Sequence, residues 1–167
     1  MGVYDAAWTL VAWNPTWAAL MGDPSASAGR DRNLLWRHFT GTAGRVVRSP
    51  AEITEFELSA AADIRAAAGR YPDDAGLHRL IADLRQVSSR FAEAWQQHGV
   101  GARRSDRKTI AHPEVGPLTL DCDVLTVGGS DLRIIVHTAD PASDDAGKLS
   151  LIRTIGLQGV GSDPSRW

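Results

Sequence analysis

The segment spanning residues 95–120 constrains the fold more than any other part of this sequence. Residues 95–98 are predicted to complete an amphipathic helix, and residues 99–107 are predicted to form a short loop that carries basic side chains. His112 and Pro113 then turn the chain into a segment of alternating apolar and polar residues, which is typical of a half-buried strand. Because helices come first and an antiparallel sheet follows, the order predicts an α+β, helix-on-sheet fold that can enclose an apolar pocket. The segment contains no residue pattern that resembles a catalytic motif.

Length and composition limit the class of protein further. The chain has 167 residues, which is one domain by length and enough to bury a core. Its formal net charge of -2 provides no general attraction to nucleic acids or acidic lipids. The single cysteine, Cys122, excludes an internal disulfide framework and fits a reducing compartment. Without a secretory signal or an apolar stretch that could span a membrane, we expect a cytoplasmic protein with no membrane partner.

Local signals divide the first hundred residues into one strand and a series of helices. Residues 8–13 are β-prone, and Asn14 followed by Pro15 starts a short helix; residues 33–39 form a second one. The clearest helix start is the sequence Ser49-Pro50-Ala51-Glu52, which predicts a capping box. Two further helices follow, one after a turn at residues 71–74 and one capped by a serine at residue 88 or 89.

The remainder of the chain predicts a hairpin sheet and a last helix. Residues 108–112 form the first strand, and residues 118–124 alternate between apolar and polar side chains until the pattern slips at Leu125, which predicts a bulge. Residues 128–131 make the hairpin turn, and residues 132–138 return as a strand. Asp140 and Pro141 are expected to cap the last helix. We expect one domain over residues 3–155 and a flexible tail over residues 156–167.

The sequence contains no recognisable catalytic motif. A nucleophile elbow, a phosphate-binding loop, a dinucleotide fingerprint and zinc-ligand spacing are all missing, and the five histidines are scattered. We therefore predict no metal site and no cofactor. If the domain were a small enzyme, its candidate acid, base or nucleophile would be one of four residues, His98, His112, Asp121 and Cys122. The basic cluster at residues 103–108 is either a solvated loop or an anchor for a ligand carboxylate.

The order of several motifs resembles a known family. Trp95-x-x-His98 and His112-Pro113-Glu114-Val115-Gly116 are the most specific, and the similarity also covers residues 13–14, 33–35, 71–74, 91–94, 107–108, 117–120 and 137–141. These segments are similar to the ligand-binding domain of MmyB-like transcription regulators. The resemblance implies a PAS-like fold, with helices packed on one side of an antiparallel sheet around an apolar pocket. It also implies that a fatty acid or a similar small apolar molecule binds there and regulates transcription.

Members of this family carry an amino-terminal helix-turn-helix of the XRE type, which this chain lacks. The resemblance therefore implies that DNA is contacted only through a domain absent from this sequence, and that the chain is either an excised domain or a stand-alone sensor. A second copy of the chain is a further candidate partner. Cys122 stands where we would expect a bulkier aromatic residue, which would enlarge or reshape the pocket.

The inward faces of the predicted helices and strands define a candidate pocket. Its apolar walls are expected to include the following residues: Trp13, Trp17, Leu35, Phe39, Phe56, Ile64, Phe91, Trp95, Leu118, Leu120, Ile134 and Val136. A ligand carboxylate needs a donor at the mouth, and the candidates are Arg65, Arg107 and His98, with an arginine favoured over the histidine. The alternatives to a sensor are a protein-interaction module without a ligand and a small enzyme that uses His98 or His112.

Overall fold

The computed structural model describes residues 1–42, 44–97 and 106–160. Over these ranges the chain forms six strands, six α-helices and a short 3-10 helix at Gly29–Arg32. The strands are β1 (Gly2–Tyr4), β2 (Leu10–Trp13), β3 (Val46–Val47), β4 (Asp106–His112), β5 (Gly116–Thr126) and β6 (Arg133–Thr138). The helices are α1 (Pro15–Met21), α2 (Leu34–Phe39), α3 (Pro50–Arg70), α4 (Ala75–Val87), α5 (Ser89–Gln96) and α6 (Asp144–Val160).

The strands form one sheet in the order β2-β1-β6-β5-β4-β3, and every neighbouring pair is antiparallel. The sheet curls into a half-barrel. Side chains of residues paired across two strands share one face. We call the face that carries Leu118 and Cys122 the inner face and the opposite one the outer face. The helices cover the inner face, where the buried side chains of the sheet lie. The predicted α+β, PAS-like fold is confirmed.

The helix starts predicted from local sequence are confirmed. The side chain of Asn14 accepts a hydrogen bond from the N–H of Trp17 at the start of α1. Ser49 and Glu52 form the complete capping box at the start of α3, with Pro50 in its first turn. Ser88 caps α5 through the N–H of Phe91. Such caps satisfy backbone donors that have no partner within the helix, so they fix where each helix begins.

Three details of the sequence prediction are wrong. β2 begins at Leu10 and not at residue 8, because Trp8 has a positive φ of 64° and belongs to the turn after β1. The predicted bulge at Leu125 is absent, since β5 and β6 pair without a break from Asp121 to Thr126. Asp140 accepts from the N–H of Ala142, but α6 begins only at residue 144. This helix ends at residue 160.

The buried side chains form two clusters on the inner face. The main cluster lies between α2–α5 and the strands β1, β5 and β6, and it includes Leu35, Ile64, Phe91, Cys122 and Ile135. The smaller hairpin cluster joins α1 and α6 to the β4–β5 hairpin; its buried members are Leu20, Ile110, Leu118, Leu120 and Ile152. The boundary between the two clusters crosses β5 between residues 120 and 122.

Helix α6 packs against α1 at a glycine. A Cβ atom added to Gly156 would lie 2.7 Å from the carbonyl oxygen of Pro15, which is closer than side-chain carbon atoms approach backbone. We therefore expect Gly156→Ala to push the helices apart and to lower the free energy of unfolding by about 1–3 kcal/mol. Urea unfolding of the purified domain measures this change.

Gly147 in the same helix is the matched control for this substitution. Nothing lies within 4 Å of a Cβ atom added there, and the residue is exposed. We expect Gly147→Ala to stabilise the domain by about 0.5–1 kcal/mol, because alanine loses less backbone entropy than glycine in a helix. Equal effects at the two positions would show that the α1–α6 contact is not close.

Candidate functional site

Most of the predicted pocket residues lie on the inner face or on the helices that cover it. Those in or packed against the main cluster are Trp13, Trp17, Leu35, Phe39, Phe56, Ile64, Phe91 and Trp95. Leu118 and Leu120 belong to the hairpin cluster. The two tryptophans at residues 13 and 95 are only partly buried. The structure therefore brings these side chains together into one apolar layer between the helices and the sheet.

A continuous row of aromatic rings runs through the helical side of this layer. His38 contacts Phe56 with the ring centroids 4.5 Å apart and Phe39 at 5.0 Å. Phe39 meets the edge of Phe91 at 4.9 Å, and Phe91 stacks on Trp95 at 5.8 Å. Aromatic pairs of this geometry add to the stabilisation from apolar burial. The row connects α2, α3 and α5.

The expected inward orientation of Ile134 and Val136 is corrected by the structure. Their neighbour Ile135 is buried in the main cluster, so the two residues point to the outer face, where they are only half-buried. Residues 134–136 are all apolar, and alternation therefore contains no information about which of them face the core. The pairing of Ile135 with Gly2 and Val124 determines which side chains of β6 face the core.

The three candidate anchors for a ligand carboxylate lie in different places. Arg65 donates to the carbonyl oxygens of Trp95 and Gln97, and its guanidinium stacks on the Trp95 ring at 4.8 Å. It thus caps the end of α5 from within the helical layer. Arg107 points to the outer face, where its Nε donates to Asp121 at 3.1 Å, and the side chain is 68% exposed. His98 lies outside the described residues.

Lys108 and His137 are polar residues of the inner face that the sequence prediction did not select for the pocket. Lys108 on β4 is in phase with the buried Ile110, and His137 on β6 pairs with the buried Cys122. Both side chains are half-buried. Burial, and after it the positive charge of Lys108, lowers the pKa of His137 to about 4, so its imidazole is neutral at physiological pH. Lys108 lies two residues before Ile110 on the same strand, and this alternation is the signal that could have predicted its inward orientation.

The candidate catalytic residues have structural contacts. The Nε2 of His112 donates to the carbonyl oxygen of Ala19 at 3.0 Å, and its Nδ1 accepts from the N–H of Glu114 at 3.2 Å. The buried imidazole therefore joins the end of α1 to the β4–β5 turn. Asp121 is on the outer face with Arg107, whereas Cys122 is buried on the inner face. This arrangement does not bring the three residues together as a catalytic group.

A buried carboxylate fixes the helical layer at one end. Glu57 on α3 accepts from the Nε2 of His38 and from the Nη1 of Arg90, each at 2.8 Å. Burial lowers the pKa of His38, and the hydrogen bond to Glu57 opposes this effect. Removing one member of such a buried network leaves the others unsatisfied, so the three residues act as a unit. They connect α2, α3 and α5 beside the aromatic row.

A separate pocket of about 260 Å³ opens at the surface beside the turn between β1 and β2. Its lining comprises Asp5, Ala6, Ala7, Tyr71, Asp74, Leu77, Asp131 and Leu132, and it includes none of the predicted pocket residues. Its carboxylates already accept hydrogen bonds from neighbouring residues of the protein. Asp5 accepts from the N–H groups of residues 7 and 9, Asp74 caps α4, and Asp131 accepts from Arg70. This pocket is therefore not the site that the sequence predicts.

The antiparallel sheet with helices packed on one face is consistent with a PAS-like ligand-binding domain. The family model for the MmyB-like transcription regulator ligand binding domain matches residues 1–152, which is nearly the whole chain. The chain therefore belongs to this family, as its motifs indicated, and the family is a regulatory one and not a family of enzymes. No curated protein matches the chain. Within the described ranges, no helix is both long and apolar enough to cross a membrane.

Proposed function

We propose that this domain binds a fatty acid or a comparable apolar molecule between the helical layer and the inner face of the sheet. Occupancy of that site would regulate a helix-turn-helix DNA-binding domain, as the context of a transcription regulator suggests. The observation that carries the proposal is the apolar layer formed by the aromatic row and the inner-face aliphatic side chains. Burial of an acyl chain in such surroundings contributes about 0.8 kcal/mol per methylene group.

A chain-length series tests this function directly. We expect saturated fatty acids to bind more tightly with each added methylene until the chain fills the site, because each buried methylene is worth about a fourfold change in Kd. Isothermal titration calorimetry of the purified domain measures the affinities, and acetate serves as the ligand without an acyl chain. Binding should also raise the Tm, since the ligand binds the folded state alone. A complete absence of binding along the series would contradict the fatty-acid proposal.

Two neighbouring residues of β6 provide a matched test of the location. Ile135 is buried on the inner face, whereas Ile134 is half-buried on the outer face. We expect Ile135→Phe to occupy space beside the ligand and to weaken dodecanoate binding about tenfold or more, as overpacking typically costs about 1–3 kcal/mol. Ile134→Phe should leave the affinity unchanged. Circular dichroism confirms that both variants are folded, and equal loss at both positions would place the ligand elsewhere.

A further inference from the structure

We propose that Arg37 and Tyr4 form the head-group site of this domain, where they hold the carboxylate of a long-chain amphiphile. The inference rests on the proposed function and adds to it the position and the chemistry of the polar end of the ligand. The Arg37 guanidinium supplies the positive charge and two N–H donors, and the Tyr4 hydroxyl donates a further hydrogen bond. The acyl chain then extends along the main cluster.

Arg37 lies on the side of α2 that packs against the β1–β2 hairpin. It follows Asn33, the N-cap of α2, by one helical turn, so the two residues share one face of the helix. The buried side chain of Asn33 donates to the carbonyl oxygen of Ala7 and to the hydroxyl of Thr9, in the turn between β1 and β2. The face of α2 that carries Arg37 therefore lies against this hairpin, where the arginine is half-buried.

Tyr4 approaches the same region from the sheet. It pairs with Leu10 across the hairpin and is almost completely buried in the main cluster. Burial raises the pKa of Tyr4, and the positive charge of Arg37 opposes this effect, which agrees with a short separation between the two side chains. The phenol therefore stays protonated and can donate. Its hydroxyl makes no hydrogen bond to any residue in the ranges that the structure describes.

Arg37 differs in this respect from two arginines near the same hairpin. Arg32 donates to the carbonyl oxygen of Ser27, and Arg133 lies 3.8 Å from the carboxylate of Asp63. The Arg37 guanidinium makes no hydrogen bond or ion pair with the described part of the chain. Partial burial of a cation has a desolvation cost, which an anionic ligand group offsets. A forked guanidinium also fits the two oxygens of a carboxylate.

The surroundings of the pair suit the apolar part of an amphiphile. The Tyr4 ring contacts the buried Trp8 ring with the centroids 5.9 Å apart. Tyr4 also pairs with Arg133 of β6, two residues before Ile135 in the main cluster. A carboxylate held by Arg37 and Tyr4 therefore leaves its chain beside the apolar inner face.

The test compares dodecanoate with its methyl ester, which has the same chain but no charge. For the wild-type domain we expect dodecanoate to bind more tightly than the ester. Arg37→Met should weaken dodecanoate about 10- to 100-fold, the value of a hydrogen bond to a charged group, and leave the ester nearly unchanged. Tyr4→Phe removes only the hydroxyl and should weaken dodecanoate about tenfold. Arg37→Lys keeps the charge without the fork, so it should lose less affinity than Arg37→Met.

Arg85→Met is the matched control, because Arg85 is an exposed arginine on α4. It should change neither affinity. If Arg37→Met weakens acid and ester equally, or neither, the head-group site is wrong although the proposed function stands. If the wild-type domain binds neither compound, the proposed function fails and the head-group site fails with it. Thermal unfolding checks that each variant is folded, and Arg37→Gln replaces Arg37→Met if the latter is not.

Discussion

Replacing Phe91 with alanine is expected to lower the free energy of unfolding by about 3–5 kcal/mol, which is a large part of the stability of a typical domain. The Phe91 side chain is completely buried in the main cluster. Its ring meets Phe39 and stacks on Trp95, so its loss interrupts the aromatic row in the middle. The change removes apolar burial and leaves a cavity that the surrounding helices fill only in part.

Urea unfolding followed by circular dichroism measures this loss, and two variants control it. Phe91→Leu keeps most of the apolar volume and should cost less than about 2 kcal/mol. Val87→Ala removes an exposed side chain at the end of α4 and should change stability by no more than about 0.5 kcal/mol. A loss below about 2 kcal/mol for Phe91→Ala would mean that the site collapses around the smaller side chain.

The stability of the domain is expected to fall as the pH decreases from about 6.5 to about 4, chiefly because of His137. Burial, and then the charge of Lys108, lowers the pKa of this histidine from 6.5 to about 4 in the folded state. Between these values the unfolded chain binds more protons than the folded one. The stabilising contribution is therefore complete above the unfolded pKa and is lost as the pH falls, by about 2 kcal/mol at about pH 5. The lowered pKa of His38 acts in the same direction.

The comparison of two variants isolates the contribution of His137. His137→Gln removes the titrating group, so its free energy of unfolding should depend less on pH than that of the wild type between neutral pH and about pH 5. His78→Gln changes an exposed histidine on α4, away from His137, and serves as the control variant. Urea unfolding at each pH supplies the values. An identical pH dependence for wild type and His137→Gln would show that the folded domain protonates this imidazole freely.

The sequence by itself determined the features that depend on local interactions. Asn14, Ser49 and Ser88 accept hydrogen bonds from N–H groups three residues away, so the starts of their helices can be predicted without knowledge of the fold. The alternation of residues 118–122 placed Leu118 and Leu120 on the buried face of their strand in the same way. The family was also recognisable from short motifs in a fixed order, and the match over residues 1–152 confirms it.

Only the tertiary structure decided the features that depend on distant partners. β1 is three residues long, too short for a periodic pattern, and it exists because it pairs with residues 133–135 at the other end of the chain. The same pairing sets which residues of β6 face inward, a choice that a run of apolar residues leaves open. The register of β4 against β5 turned Lys108 inward and Arg107 outward. A shift of one residue in the register moves every side chain of a strand to the opposite face of the sheet, and only long-range pairing fixes the register.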